Sequence, residues 1–137
     1  GLRILGSDVN TDVLESAIQG CYTEKLLSPI PDSFRRRYFS SESEKPNSNN
    51  QIKTEIQRLI QFRQFNLMSA EYPIATKFQL IFCRNVLYYL QPERREFLIR
   101  KLVDHLEEGG WLVLGITESG YSIDKMEKHS ISIYQKT

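Results

Sequence analysis

The sequence has little cysteine, almost no net charge and no long apolar run. Its 137 residues include only Cys21 and Cys83, and 18 basic against 17 acidic side chains give a formal net charge of +1. With only two cysteines and no secretory signal before the strand-like Leu2–Leu5, a disulfide is not expected. We therefore expect free thiols and a cytoplasmic protein. The balanced charge gives no electrostatic reason to expect binding to nucleic acid or to a membrane surface.

Two further classes of protein are not expected. No apolar stretch approaches the ~20 residues that a membrane-spanning helix needs. His105 and His129 lack Cys, His or carboxylate neighbours at ligand spacing, so no metal site is predicted. The length suits one domain, which would bury roughly two thirds of the surface of the unfolded chain.

Apolar runs alternate with amphipathic segments along most of the chain. Helices are predicted from Asn10 or Thr11 to Gly20, and from Pro92 to Leu106. Strands are predicted at Leu2–Leu5, Leu59–Phe65, Phe78–Cys83 and Trp111–Leu114, with an edge strand at Ser130–Tyr134. Strands that alternate with helices indicate an α/β fold with a mostly parallel sheet.

Residues 35–60 interrupt this alternation. Ile52, Thr54 and Ile56 alternate as in one strand of a small hairpin, and the polar segment 40–50 is predicted to be the exposed loop of that hairpin. We therefore expect a β-rich insertion at residues 35–60 within a domain that spans residues 1–137. Arg35–Arg37 have no wider basic patch around them, which favours a solvated face over a nucleic-acid site.

The most informative stretch begins at Phe78. The apolar run Phe78–Cys83 is typical of a buried parallel strand, and it breaks abruptly at Arg84 and Asn85. In an open α/β sheet, ligands bind at the carboxyl ends of the strands. The sequence therefore predicts a cleft whose lip carries a charged donor and an amide, with Tyr88 and Tyr89 close behind. This arrangement suits the recognition of a small polar cofactor.

Several separated segments resemble, in the same order, the catalytic domain of the chemotaxis receptor methyltransferases, the CheR family. The phrase Ile-Phe-Cys-Arg-Asn-Val-Leu-x-Tyr at residues 81–89 is the most specific of them. The matching segments are Arg3–Ala17, Gly20–Tyr22, Arg36–Phe39, Phe65–Leu67, Phe78–Tyr89 and Leu106–Ser119. The resemblance implies a Rossmann-like methyltransferase sheet that is incomplete at its N-terminal side, since the family's first strand, its glycine-rich loop and its N-terminal helical domain have no counterpart in this sequence.

The resemblance also implies a reaction. The family transfers a methyl group from S-adenosylmethionine to glutamate side chains of a protein, here expected to be the cytoplasmic region of a chemoreceptor. A glutamate with a pKa near ~4.3 is already ionised at neutral pH, so alignment of the reactants is the main task of the site. In some members the β-rich insertion docks a receptor tail by strand addition. The alternatives are a non-catalytic methyltransferase-like module that binds a signalling protein, and a methyltransferase with a small-molecule acceptor.

Three residues are implied to contact the nucleoside part of the cofactor. Asp8, after the first strand of this chain, would accept hydrogen bonds from the ribose hydroxyls. Asn66 would bind the adenine by a hydrogen bond and Leu67 by apolar contact. From the residues alone, Asp8 is equally well interpreted as the cap of the turn that follows, and Asn66 as an ordinary turn residue.

Three further residues are implied to lie at the reacting end. Arg84 and Asn85 would close the cofactor site, and Tyr89 would lie near the methyl group as the one residue with a catalytic role. The alternatives are a structural pair at a strand end for Arg84 and Asn85, and a core ring for Tyr89. The family's Gly-His-Ser-Glu run is replaced by residues 115–118, Gly-Ile-Thr-Glu, in which Glu118 is predicted to be a surface carboxylate rather than a residue that orients a substrate loop.

Overall fold

The computed structural model describes residues 1–41, 49–118 and 120–137. It divides into two compact units, residues 1–66 and residues 67–137. Most of the predicted loop at residues 40–50 lies outside the described residues. Within the described ranges, no helix combines the length and the apolar composition needed to cross a membrane.

The first unit is built on a pair of parallel strands. Strand β1 (Ile4–Asp8) pairs with β5 (Ile60–Gln64), in a register that sets Ile4 opposite Ile60 and Asp8 opposite Gln64. Helix α1 (Thr11–Gln19) follows β1. The predictions of a strand at each of these two places and of a helix after the first strand are confirmed.

Both ends of α1 are determined by local sequence. The Asn10 side chain accepts hydrogen bonds from the backbone N–H groups of Asp12 and Val13 at 2.9 and 3.3 Å, which satisfies two donors of the first turn. Gly20 ends the helix with φ at 65°, in the left-handed region. A Cβ at this position would lie 2.5 Å from the Ile52 side chain, so the close approach of that residue also requires glycine.

The same unit contains a small antiparallel sheet with the strand order β2-β4-β3. Its strands are β2 (Cys21–Thr23), β3 (Phe39–Ser41) and β4 (Asn49–Ile52), and short helices lie at α2 (Glu24–Leu27), α3 (Asp32–Tyr38) and α4 (Thr54–Gln57). β3 and β4 pair as the predicted hairpin. The prediction that the strand continues through Thr54 and Ile56 is wrong, because the Lys53 carbonyl accepts the N–H groups of Ile56 and Gln57 and begins a helical turn.

The second unit contains a four-stranded sheet with the order β6-β7-β9-β8, in which only β6 and β7 are parallel. The elements are β6 (Phe78–Cys83), α5 (Pro92–Asp104), β7 (Leu106–Leu114), β8 (Met126–Ser130) and β9 (Ile133–Lys136). The bounds of β6 and the start of α5 at Pro92 are confirmed. The predicted edge strand at the end of the chain is wrong, since a turn at residues 131–132 separates β8, the outer strand, from β9, which lies between β7 and β8.

The core of the second unit lies between α5 and the sheet. Its buried members are Cys83, Leu87, Leu98, Ile99, Leu102, Val103, Leu106, Leu112, Leu114 and Tyr134. Strand β6 itself is only partly buried, contrary to the prediction, because its side chains alternate between the two faces of the sheet. Ile81 and Cys83 face the core, whereas the alternate side chains Leu80 and Phe82 are 47 % and 67 % exposed.

Truncating one leucine in the core and one on the exposed face of the sheet would compare how much each stabilises the protein. Leu112 in β7 is fully buried, at 0 % exposure. We expect Leu112→Ala to lower the free energy of unfolding by about 2–5 kcal/mol, through lost transfer energy and a residual cavity. Leu80→Ala, on the neighbouring strand, should cost clearly less because nearly half of that side chain already contacts water. Urea unfolding at one temperature measures both values, and equal losses would contradict the packing described.

Candidate functional site

The first group of predicted site residues lies at the carboxyl ends of β1 and β5. Asp8 is half-buried, and its Oδ1 accepts the backbone N–H of Asn10 at 2.9 Å. The turn-capping role considered for Asp8 is therefore present, and it uses one of the two carboxylate oxygens. Gln64 donates from Nε2 to the Val9 carbonyl at 3.0 Å, which ties the ends of the two strands together. Asn66 is exposed two residues beyond β5, at the same edge of the parallel pair.

The second group follows the other parallel pair, β6 and β7. Cys83 and Leu114 are opposite one another at the carboxyl ends of these strands. Arg84 and Asn85 come immediately after β6 and are both exposed. Asn85 has φ at 61°, a left-handed conformation that asparagine adopts more readily than most residues. The structure thus places both residues where the break in the apolar run predicts them.

Two aromatic rings extend from the same loop. A 3₁₀ turn at Leu87–Tyr89 is anchored in the core by Leu87, which has no exposed surface. Tyr88 and Tyr89 are exposed, Tyr89 by 81 %, and their ring centroids lie 5.5 Å apart with perpendicular planes. The core alternative for Tyr89 is therefore wrong. Exposed aromatic rings can attract a positively charged group of a ligand.

Leu67, predicted to contact adenine, lies partly buried against the core of the second unit. Its carbonyl accepts a hydrogen bond from the Tyr72 hydroxyl at 2.5 Å. The Lys101 ammonium donates to the carbonyls of Ser69 and Ala70 and lies 3.9 Å from the centroid of the Tyr72 ring. Burial is the main cause that raises the pKa of Tyr72 to about 12, so the hydroxyl remains a donor at neutral pH. The loop after Leu67 is thereby tied to helix α5.

Glu118 is the residue that the sequence prediction placed wrongly. It is only 2 % exposed, whereas a surface carboxylate was predicted. Oε2 accepts the backbone N–H groups of Asn85 at 2.9 Å and Gly115 at 3.0 Å, and Oε1 accepts that of Tyr88 at 3.1 Å. A 3₁₀ turn at residues 116–118 folds the side chain back toward the ends of β6 and β7. The spacing Gly-x-x-Glu after a strand was the available signal, since Gly115 has no room for a side chain beside the carboxylate.

The two cysteines differ in exposure and in chemistry. Cys83 is buried, and its burial, followed by the nearby charge of Glu118, raises the pKa of its thiol to about 11. Cys21 is exposed on β2, and both cysteines are free. In the part of the chain that is described, no three His, Cys, Asp or Glu side chains come together in a way that would hold a metal ion.

This difference predicts selective thiol labelling. At about pH 8 a thiol with a pKa of about 11 is ~0.1 % thiolate, and burial further hinders a reagent from reaching it. We expect one thiol to react readily with Ellman's reagent in the folded protein and both to react in denaturant. Cys21→Ser should abolish the fast reaction and Cys83→Ser should leave it unchanged. Equal reaction rates of both thiols in the folded protein would contradict the burial of Cys83.

The geometry defines a class of protein. Each unit contains a pair of parallel strands whose carboxyl ends carry polar side chains, which is the arrangement of ligand-binding α/β proteins. The family model described as "CheR methyltransferase, SAM binding domain" matches residues 1–134. The chain belongs to this family. Its fold is the Rossmann-like methyltransferase fold, and S-adenosylmethionine is the methyl donor of the family.

Curated proteins with similar sequences agree with the family. The chain is 28 % identical over 135 residues to "Chemotaxis protein methyltransferase" of Borreliella burgdorferi, covering 98 % of this chain and 47 % of that protein. It is 31 % identical over 118 residues to "Chemotaxis protein methyltransferase 2" of Pseudomonas aeruginosa, with 86 % and 42 % covered. For "Probable chemotaxis protein methyltransferase" of Rhizobium etli the identity is 31 % over 137 residues, with 98 % and 51 % covered. The chain thus spans about half the length of these relatives.

Proposed function

We propose that this protein transfers methyl groups from S-adenosylmethionine to glutamate side chains of a protein, forming glutamyl methyl esters. The observation that carries the proposal is the position of the implied site residues. In a chain that belongs to the CheR family, an acid, two amides and an arginine lie at or just beyond the carboxyl ends of parallel strands, where α/β proteins bind their ligands. The relatives named as chemotaxis methyltransferases support the same reaction.

The residues at the first of these edges suit the nucleoside part of the cofactor. Asp8 uses Oδ1 for the Asn10 N–H, and its second oxygen receives no hydrogen bond from the described residues. That oxygen is suited to accept from the ribose hydroxyls. We assign the hydrogen bond to adenine to Asn66. The apolar contact to adenine is assigned to Leu67 of the second unit, whose carbonyl accepts the Tyr72 hydroxyl.

The residues after β6 suit the reacting end. When bound, S-adenosylmethionine supplies a methyl group on a positively charged sulfur, and the expected products are a glutamyl methyl ester and S-adenosylhomocysteine. Arg84 and Asn85 are assigned to the cofactor, and Tyr89 to the methyl site. The exposed Tyr89 ring can face the cationic sulfur while its hydroxyl donates to the carboxylate of the acceptor. Because that carboxylate is already ionised at neutral pH, the site needs alignment rather than a general base.

The wider biological assignment follows the relatives. We propose that the acceptor is the cytoplasmic region of a chemoreceptor and that the protein acts in the cytoplasm. We treat residues 1–137 as a part of one catalytic domain with residues 35–60 as its β-rich insertion, and we expect further residues of a longer protein, among them a glycine-rich loop, to complete the cofactor site. A non-catalytic binding module is not favoured, because the relatives carry the names of methyltransferases.

Calorimetric titration with S-adenosylhomocysteine tests the site assignments. We expect Asp8→Ala and Arg84→Ala each to weaken binding roughly 10- to 100-fold, the range expected when a hydrogen bond to a charged group is lost. Glu15→Ala on α1 and Arg94→Ala on α5 are matched controls, since both side chains are exposed on helices that follow the two strands concerned. The controls should bind like the unsubstituted protein.

Two outcomes would contradict the proposal in different ways. Unchanged affinity in Asp8→Ala would remove the ribose assignment and leave only the turn-capping role of this residue. Absence of binding by the folded, unsubstituted chain, and also by a longer form that carries the glycine-rich loop, would overturn the cofactor site altogether.

A further inference from the structure

Glu118 is a buried carboxylate whose charge is balanced by backbone groups. Within the described residues, no Lys, Arg or His side chain forms an ion pair with it. A charge removed from water in this way is costly unless other groups replace its hydration. Here the replacement consists of three backbone N–H groups, at 2.9, 3.0 and 3.1 Å. Such charge-assisted bonds are stronger than neutral ones, so together they can offset the cost of burying the carboxylate.

The three donors come from two loops that follow neighbouring parallel strands. Asn85 and Tyr88 belong to the loop after β6, and Gly115 follows β7 directly. Glu118 is 33 and 30 residues away in sequence from the first two donors. A single carboxylate therefore fixes the loop after β6 against the end of β7, and it does so through backbone atoms that determine the path of the loop.

The loop that Glu118 holds has a conformation that needs support. Asn85 has φ at 61°, and its N–H points to the carboxylate. A non-glycine residue in the left-handed region costs energy that the surrounding contacts must offset. Gly115 allows the two loops to approach, because a Cβ there would lie 2.7 Å from Oε2 of Glu118 and 3.0 Å from Oδ1 of Asn85. Both features point to a loop held in one defined shape.

We propose that Glu118 is a positioning residue of the methyltransferase site. By holding the backbone of Asn85 and Tyr88, it fixes the segment Arg84–Tyr89 in the conformation that presents Arg84, Asn85 and Tyr89 to their ligands. Glu118 itself contacts neither cofactor nor acceptor in this account, because its two oxygens are occupied by backbone donors and its side chain is buried. The inference rests on the proposed function, since it concerns the segment to which the cofactor contacts are assigned.

The test combines two measurements on the protein with Glu118→Gln, Glu118→Asp and Gly115→Ala. Amide proton shifts and hydrogen exchange report the three hydrogen bonds to Glu118 without any ligand. Titration with S-adenosylhomocysteine measures the affinity of the cofactor site. The amide of glutamine has only one acceptor oxygen, so Glu118→Gln should shift the Asn85, Tyr88 and Gly115 amide signals upfield and speed their exchange. The amides of Leu98 and Leu112 in the core should remain protected. Glu96→Gln, an exposed residue of α5, is the control.

Across the variants, the affinity for S-adenosylhomocysteine should change with the amide signals of Asn85, Tyr88 and Gly115 and not with the free energy of unfolding. We expect Glu118→Gln to weaken S-adenosylhomocysteine binding roughly 10-fold or more at a temperature where the variant is fully folded. Glu118→Asp keeps the charge and should restore part of both the amide shifts and the affinity. Gly115→Ala leaves Glu118 in place but displaces its carboxylate, so it should reproduce the affinity loss even if Glu118→Gln fails to fold.

Each result decides a separate claim. If the amide signals of Asn85, Tyr88 and Gly115 do not change in Glu118→Gln, the claim that Glu118 holds these backbone groups is overturned. If they change but the variants bind S-adenosylhomocysteine like the unsubstituted protein, the positioning role is overturned and the proposed function stands. If the unsubstituted protein itself, in the longer form as well, does not bind the ligand, the proposed function is overturned and the role of Glu118 at that site falls with it.

Discussion

The geometry of the edge formed by β6 and β7 depends on one buried carboxylate. Glu118 receives hydrogen bonds from backbone groups of two loops and connects the residues after β6 to those after β7. The bonds reach both special positions of this edge, the left-handed Asn85 and the close approach at Gly115. Arg84, Asn85 and Tyr89 are exposed, so the path of the backbone that carries them determines where their side chains lie. The buried carboxylate of Glu118 thus positions the exposed side chains of Arg84, Asn85 and Tyr89.

Parallel pairing explains why the predicted site residues occur at strand ends. In a parallel pair both strands finish at the same edge, so residues far apart in sequence meet there without direct contacts between side chains. Asp8 ends β1 opposite Gln64, with Asn66 two residues further along the chain, and the loops after Cys83 and Leu114 leave β6 and β7 at one edge. The methyl donor of the family is a nucleoside derivative, and α/β folds bind such ligands at the carboxyl ends of their strands. No acid–base machinery is needed, because the expected acceptor is ionised at neutral pH.

Structural features that depend on a few neighbouring residues can be predicted from this sequence, whereas contacts between distant residues cannot. The cap at Asn10, the stop at Gly20 and the bounds of β6 depend on a few neighbouring residues, and all three are confirmed. The burial of Glu118 depends on donors about thirty residues away, so a polar residue after a strand was wrongly predicted to be exposed. The exposure of Leu80 and Phe82 depends on what packs against their face of the sheet, which an apolar run does not encode. The family resemblance supplied the positions of the site residues, which periodicity alone did not distinguish from capping and turn roles.

Amide chemical-shift mapping of bound S-adenosylhomocysteine would locate the cofactor site on the protein. We expect the largest changes near the carboxyl ends of the parallel strands, at Asp8, Asn66, Leu67, Arg84 and Asn85. The opposite ends of β1, β5, β6 and β7 should be little affected. The Asn85 and Tyr88 amides should also keep their bonds to Glu118 in the complex. Changes confined to the opposite ends of these strands, or a bound ligand that leaves both the Asp8 and the Arg84 signals in place, would rule out a cofactor site at the carboxyl ends.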